Sequence, residues 1–404
     1  MRYVYLSEKL ARTLEDTLKE VESRVKKLCR EVKGDGFTTI GFVDGSYVLE
    51  ERRGACLALL SAATLIIEGE RISRVMEGSK RPLIFPLIPR TYGESRMSLL
   101  METFELVGGL DLIRRGVEAV FMDGSYVSGL MEPFTLSRVV NDVIKKIDRN
   151  LLNEYGKQTF RSFKEIIAAR NRDPWLTFRD IIRVVGDSAS ELYESLEGLY
   201  GKTLGRREML DLSMIYLETT AYLSSLRALL KEAEEKGVGL FWVAKDSESR
   251  YIVDKEGVKG WMNDLTLLDY AWRDKERVYL SFEDMKMGKP SVPVAYDRLL
   301  EEIYEKWGDH GVAYFKLSPR GAVIQTSYPE NISKDTLSKA LATLARLTDP
   351  LHGYPRPLNY VHNMTVLSQS LSRIIADEIY RKADRGTALK FILAPSGRGM
   401  IGLS

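Results

Sequence analysis

The feature that most constrains this chain is a heptapeptide written twice. FVDGSYV occupies residues 42–48 and FMDGSYV residues 121–127, and the copies differ only at Val43 and Met122. Each follows an apolar climb, over residues 38–43 and 117–122. Short β-branched and aromatic runs stopped by Asp-Gly are expected as buried strands that end in a turn. Laid side by side in one sheet, such strands bring Asp44 and Asp123 together. Two carboxylates that close repel unless a proton or a divalent cation lies between them. One Asp-Gly is ordinary turn chemistry; a near-verbatim repeat points to a paired site.

Around this repeat the chain divides by pattern. Over residues 7–33, Leu10, Leu14, Leu18, Val21, Val25 and Leu28 recur at spacings of three and four among charged residues, which predicts an amphipathic helix ended by Gly34 and Gly36. The first strand follows, then a polar turn at 51–54. A long apolar run over 55–67 is its expected hairpin partner. Three prolines make 81–93 an extended crossing segment, and a helix is expected over 94–115 before the second strand. Hairpin, helix and a strand returning beside the first is the order of an RNase H-like mixed sheet.

From about 135 to 236 the spacing is helical almost throughout, so a large helical insertion is expected there. Strands resume at 239–244, with a further pair at 312–317 and 322–326. The expected organisation is therefore an N-terminal helix over 1–35, a first part of an α/β core over 36–134, the insertion over 135–236, and the second part of the core over 237–404. Pro355 and Pro357 set the entry of a C-terminal helix reaching about 382, with His362 in its first turns.

Composition removes several alternatives. The 59 basic residues nearly balance 57 acidic ones, so any nucleic-acid surface must be local. Two cysteines support neither a disulfide framework nor a zinc cluster. Together with the absence of a signal-like apolar core near the N-terminus and of any membrane-length apolar run, this makes a cytoplasmic location the expectation. There is no GxxxxGK[ST], no GxGxxG after a strand and no HExxH, so ATP-driven work would need a partner.

Two strand aspartates with a helix carboxylate make an oxygen-rich site suited to manganese or magnesium rather than zinc. Such a site can clamp the attacking and leaving oxygens of a phosphodiester. Glu102 and Glu105 share a helix face, and either could supply the third carboxylate. His362 could complete a manganese shell or carry a proton. Tyr354 could orient a phosphate or stack on a base, and Lys245 and Arg250 follow a strand where they could grip a DNA backbone.

Two strand-terminal Asp-Gly-Ser motifs, an acidic helix between them, a late strand ending in Lys-Asp-Ser and a GYP-x-PL segment followed by His together resemble the NurA nucleases of archaea and some bacteria. The resemblance implies an RNase H-like core and a homodimer. It implies manganese-dependent cutting of single- and double-stranded DNA, as a 5′-to-3′ exonuclease and single-strand endonuclease. It further implies work beside the hexameric HerA ATPase in end resection for recombinational repair. Carried over, Asp44 and Asp123 match the metal aspartates, Tyr354 and His362 the late tyrosine and histidine, and Glu102 or Glu105 the helix acid. Two other classes fit parts of the pattern: an actin-like or sugar-kinase-like ATPase, and a non-catalytic scaffold that binds DNA or a translocase.

Overall fold

The structure is a computed structural model that describes residues 8–169, 172–258, 262–287 and 297–395. Its frame is a ten-stranded mixed sheet. In chain order the strands are β1 Arg30–Glu31, β2 Thr39–Glu51, β3 Cys56–Glu68, β4 Arg71–Glu77, β5 Leu83–Leu87, β6 Ala119–Asp123, β7 Gly239–Ala244, β8 Val278–Met285, β9 His310–Lys316 and β10 Ile324–Pro329. The lateral order is β1-β8-β9-β10-β7-β6-β2-β3-β4, with β5 also on β3. The antiparallel meander β2-β3-β4 continues into β6 and β7, both parallel to β2. That is an RNase H-like sheet, extended here by the antiparallel strands β10, β9, β8 and β1.

The helices are α1 Glu8–Val25, α2 Gly93–Arg114, α3 Tyr126–Val139, α4 Asn141–Ile144, α5 Arg149–Ala168, α6 Pro174–Tyr200 and α7 Arg206–Lys236. After β7 come α8 Tyr251–Lys255, α9 Asp264–Ala271, α10 Asp297–Trp307, α11 Lys334–Leu347, α12 Arg356–Thr365, α13 Gln369–Lys382 and α14 Ala388–Ile392. Helices α3 to α7 fill the connection between β6 and β7.

Strand alternation divides the core into two layers. On one face Val43, Val120 and Met122 pack with α2 and α7 through Leu106, Leu110 and Leu226. Ile40, Phe42, Phe121 and Phe241 line the other face under α11 and α12, against Leu341, Leu358 and Val361. Phe42, Phe121 and Phe241 stack in turn, with centroids 5.3 and 5.5 Å apart, so the repeated Phe closes the core across three parallel strands. Glu118 aligns two of those strands at their start. Its carboxylate accepts from the Thr38 and Thr39 amides and the Thr38 hydroxyl at 2.7–2.8 Å. Helix α2 is tied to α7 by a buried bidentate pair: Arg96 Nη2 and Nε donate to Glu218 at 2.6 and 2.8 Å.

Four expectations need correction. The first Asp-Gly does not turn the chain; β2 runs through it and on to Glu51. The N-terminal helix stops at Val25, and residues 30–31 pair with β8 instead of prolonging it. Leu18, Val21 and Val25 do meet the core, against Leu265 and Leu268 of α9, while Leu28 is exposed. The side chains of Leu10 and Leu14 lie outside the described residues. The helical stretch begins at Tyr126, nine residues early, because the second Asp-Gly passes directly into α3. Lastly, the C-terminal helix is two helices, α12 and α13, and His362 stands in the last turn of α12.

Candidate metal centre

The site forms where β2 and β6 part. Their parallel pairing runs from Ile40↔Ala119 to Val43↔Met122 and then stops. Asp44 and Asp123 come next on each strand, at the mouth of the split. Asp44 shares the strand face of Phe42 and so turns toward α12. There Asp44 Oδ2 meets His362 Nδ1 at 2.9 Å, and Asp44 Oδ1 accepts from the Gly45 amide at 2.9 Å. One candidate ligand atom from each of Asp44, Asp123 and His362 lies within 4.8 Å of the others.

Helix α2 closes the site from the other layer. Glu105 is buried at 6% exposure, and its Oε1 comes so near Gly45 that a Cβ there would stand 2.7 Å away. Burial pushes the Glu105 carboxyl well above its ordinary range, and Asp44, Glu102 and Asp123 push it further. Asp44, itself 4% exposed, is pushed up to about 6, by burial first and by Asp123 second, with His362 opposing. Several carboxylates thus share a space that favours losing their charge. A divalent cation reverses that preference.

Asp44, Glu102, Glu105, Asp123, Lys245 and His362 all border one cleft of about 490 Å³. Lys245 follows β7, and its ammonium is 3.3 Å from Asp123 Oδ2 and 4.8 Å from the centroid of the Tyr354 ring. Tyr354 lies just behind. Its hydroxyl is buried with no hydrogen-bond partner among the described residues, and burial, Asp123 and Asp44 hold it above its ordinary range. A buried hydroxyl without a partner beside clustered carboxylates and an imidazole is a donor set that fits a hard cation with its water.

Of the sequence-derived residues, six border the cleft, Tyr354 stands behind Lys245 outside the lining, and one lies elsewhere. Arg250 does not border the cleft; its guanidinium donates to the Met262 carbonyl and, at 3.1 Å, to Asp254, closing the loop around α8. The two helix glutamates also separate: both border the cleft, but Glu105 is the one buried against Gly45. Sequence reasoning missed Ser128 and Tyr222, which line the cleft from α3 and α7. Nothing in their local sequence marks them. Asp246, also a lining residue, could have been singled out from its place in the Lys-Asp-Ser turn.

An RNase H-like sheet with carboxylates on two adjacent parallel strands, one on a crossing helix, and an imidazole closing the edge defines a class of α/β proteins with a candidate cation site. A family model for the NurA domain matches residues 38–367, and the chain belongs to that family. Solved structures share the fold. The NurA nuclease from Sulfolobus solfataricus aligns with a TM-score of 0.60 at 15% identity, covering 94% of this chain and 96% of that one. A NurA bound to dAMP and manganese aligns at 0.65 and 17% identity, covering 94% and 97%. A NurA with manganese aligns at 0.60 and 18%, covering 94% and 99%. A search of curated proteins finds no significant match. Among the described residues, no helix is long and apolar enough to cross a membrane.

Proposed function

We propose that this protein is a manganese-dependent deoxyribonuclease that hydrolyses phosphodiester bonds in DNA. The observation that carries the reading is the convergence of Asp44, Asp123 and His362 beside buried Glu105 in a cleft that Lys245 overlooks. Asp44, Asp123 and His362 would hold the ion, with Glu105 completing the charge. When bound, the ion supplies charge stabilisation to the attacked phosphate.

The remaining work belongs to the chain. Lys245 offers its ammonium to a phosphate oxygen at the cleft mouth. Tyr354 offers a hydroxyl that no described residue uses, placed to orient a phosphate or a water. As the alternative to ligating the ion, His362 could exchange a proton with the departing oxygen. An imidazole in the donor set favours manganese over magnesium, and the looser coordination of calcium aligns an attacking water poorly.

The likeness to manganese-bound NurA structures supports the choice of ion. Membership of the family supports the finer reading: a homodimer acting as a 5′-to-3′ exonuclease and single-strand endonuclease. In that reading it resects DNA ends for recombinational repair beside a HerA-like hexameric ATPase. No feature of the described residues favours the ATPase or scaffold alternatives. The test is degradation of end-labelled single- and double-stranded DNA with manganese, magnesium, calcium or EDTA, with and without ATP. Metal-dependent, ATP-independent cutting is the expected result, fastest in manganese. ATP turnover by the chain alone, or binding without cutting in any metal, overturns the reading.

A further inference from the structure

A second concavity, of about 760 Å³, lies on the outer side of α12, where β3, β4 and the end of α11 meet. Leu65 of β3 contributes to its apolar floor, and Ile72 of β4 is 62% exposed at its wall. Three arginines border it, Arg74, Arg346 and Arg356, and no carboxylate is among the described residues that line it. In a chain whose net charge is only +2, three guanidiniums around one apolar floor are a local anion-selective surface.

Each arginine is held but keeps donors to spare. Arg346 uses one nitrogen on the Phe37 carbonyl at 2.7 Å, and Arg356 stands 3.9 Å from Asp349. Arg74 donates to the Tyr360 hydroxyl, with its guanidinium carbon 5.3 Å from the ring centroid. A guanidinium has five N–H donors, so these contacts fix orientation without exhausting capacity. Tyr360, 37% exposed, then presents a flat ring oriented by its neighbour, beside the apolar floor.

We propose that this groove binds a segment of single-stranded DNA, a base lying against Tyr360 and Ile72 and its phosphates on Arg346 and Arg356. Flat aromatic surface with flanking guanidiniums is the combination that holds single strands without reading sequence. The placement matters for the site, because Tyr360 and His362 are two residues apart on α12 and therefore project from nearly opposite sides of it. One short helix carries the proton-handling imidazole on its inner side and a strand-holding surface on its outer side. This inference rests on the DNA reading above, but it is tested separately.

Binding is measured by fluorescence anisotropy of labelled dT20 in EDTA, which removes cutting from the readout. For Arg74→Ala/Arg346→Ala/Arg356→Ala the expected result is a Kd raised about tenfold or more, and a salt dependence shallower by about two ion equivalents. In the wild-type protein, ultraviolet crosslinking of bromouracil-substituted single strand should map to the peptide containing Tyr360. That second measurement does not depend on the variant folding. Unchanged affinity and salt dependence in the folded triple variant, or crosslinks that avoid 356–365, overturn the proposal. So does a triple variant that changes the sedimentation of the DNA-free protein, since the groove would then cover a second copy of the chain. Binding and crosslinking as expected without metal-dependent cutting would leave the groove standing and remove the nuclease reading; cutting without them would do the reverse.

Discussion

The two copies of the Asp-Gly-Ser-Tyr motif adopt different structures. In the first, residues 44–48 stay extended, because β3 pairs with β2 residue by residue from Thr39↔Glu68 to Glu51↔Cys56. A continuous antiparallel partner supplies hydrogen bonds on past the aspartate, so the turn tendency of Asp-Gly loses. In the second copy the pairing with β2 ends at Met122 and that with β7 at Asp123. Beyond it no described strand pairs with this segment, although β2 itself runs on. Gly124 takes a positive φ of 107°, its amide caps β7 at Val243, and α3 starts two residues later. Only the aspartates keep a common role. The same sequence thus places a carboxylate reliably, while the neighbours decide where the chain goes next.

The comparison breaks most sharply at the aspartates. Asp44→Asn and Asp123→Asn should each lower metal-dependent cleavage by about 10³-fold or more, since a neutral amide cannot balance a divalent cation and the ion's contribution is several kcal/mol. His362→Ala should fall by about 10²-fold. Single-turnover assays on end-labelled DNA check this. Near-normal rates in either aspartate variant would show that the copies do not converge on one ion.

Burial gives Asp44 a thermodynamic signature that the sequence motif alone does not. Asp44 has its folded pKa raised from 3.8 to about 6, so its ionisation opposes folding. The sign is that of an acid bound more tightly to its proton when folded: the cost is absent below about 4, grows as pH rises through 6, and is complete above it. Without metal, Asp44→Asn should therefore raise stability at pH 7.5 by up to about 3 kcal/mol, and the gain should vanish below pH 4. Urea titrations at both pH values in EDTA read it. A gain of equal size at both pH values would contradict this origin.

The glycines should fail in opposite ways. A Cβ at Gly45 would stand 2.7 Å from Glu105 Oε1 and 2.8 Å from Met101 Cγ, without backbone strain. Gly45→Ala should mainly displace Glu105 and cost about 10²-fold in turnover. At Gly124 a Cβ meets nothing within 4 Å, but the φ of 107° is strained for any other residue. Gly124→Ala should cost about 1–3 kcal/mol of stability. Parallel melts and rates distinguish the two; the reverse pattern would undo the comparison.

The tyrosines should give the smallest contrast. The Tyr126 hydroxyl donates to the Trp307 carbonyl at 2.5 Å in a fully buried setting, whereas Tyr47 donates to the Glu94 carboxylate at 2.9 Å near the surface. Tyr126→Phe leaves a buried carbonyl unmet and should cost about 1–3 kcal/mol, against less than about 1 kcal/mol for Tyr47→Phe. Equal losses in denaturant titrations would mean that the two settings matter less than the shared sequence.

Much of the site is legible in the amino-acid sequence. The repeat marks Asp44 and Asp123, and the α2 pattern narrows the helix acid to Glu102 and Glu105. The late prolines locate the segment that brings in His362. Which glutamate lies against Gly45 is not legible, because both share one helix face and only the packing of α2 on β2 distinguishes them. The place of Arg250 is not legible for a related reason: a basic residue after a strand has the same local signature whether it closes its own loop or faces a ligand.

The sequence by itself determined the strands β2, β3, β6, β7, β9 and β10, the helix α2 and the residue types at the site, since these follow from local periodicity and from where apolar runs stop; β1, β4, β5 and β8 were not legible there. Only the tertiary structure decided the divergent fates of the two Asp-Gly-Ser-Tyr segments, the break between α12 and α13, and the contact of His362 with Asp44, 318 residues away in sequence. Each of these depends on which partner strand or helix face is present at that point in space. Hydrogen bonds and burial offered by distant segments outweigh a turn or helix preference worth about 1 kcal/mol per residue.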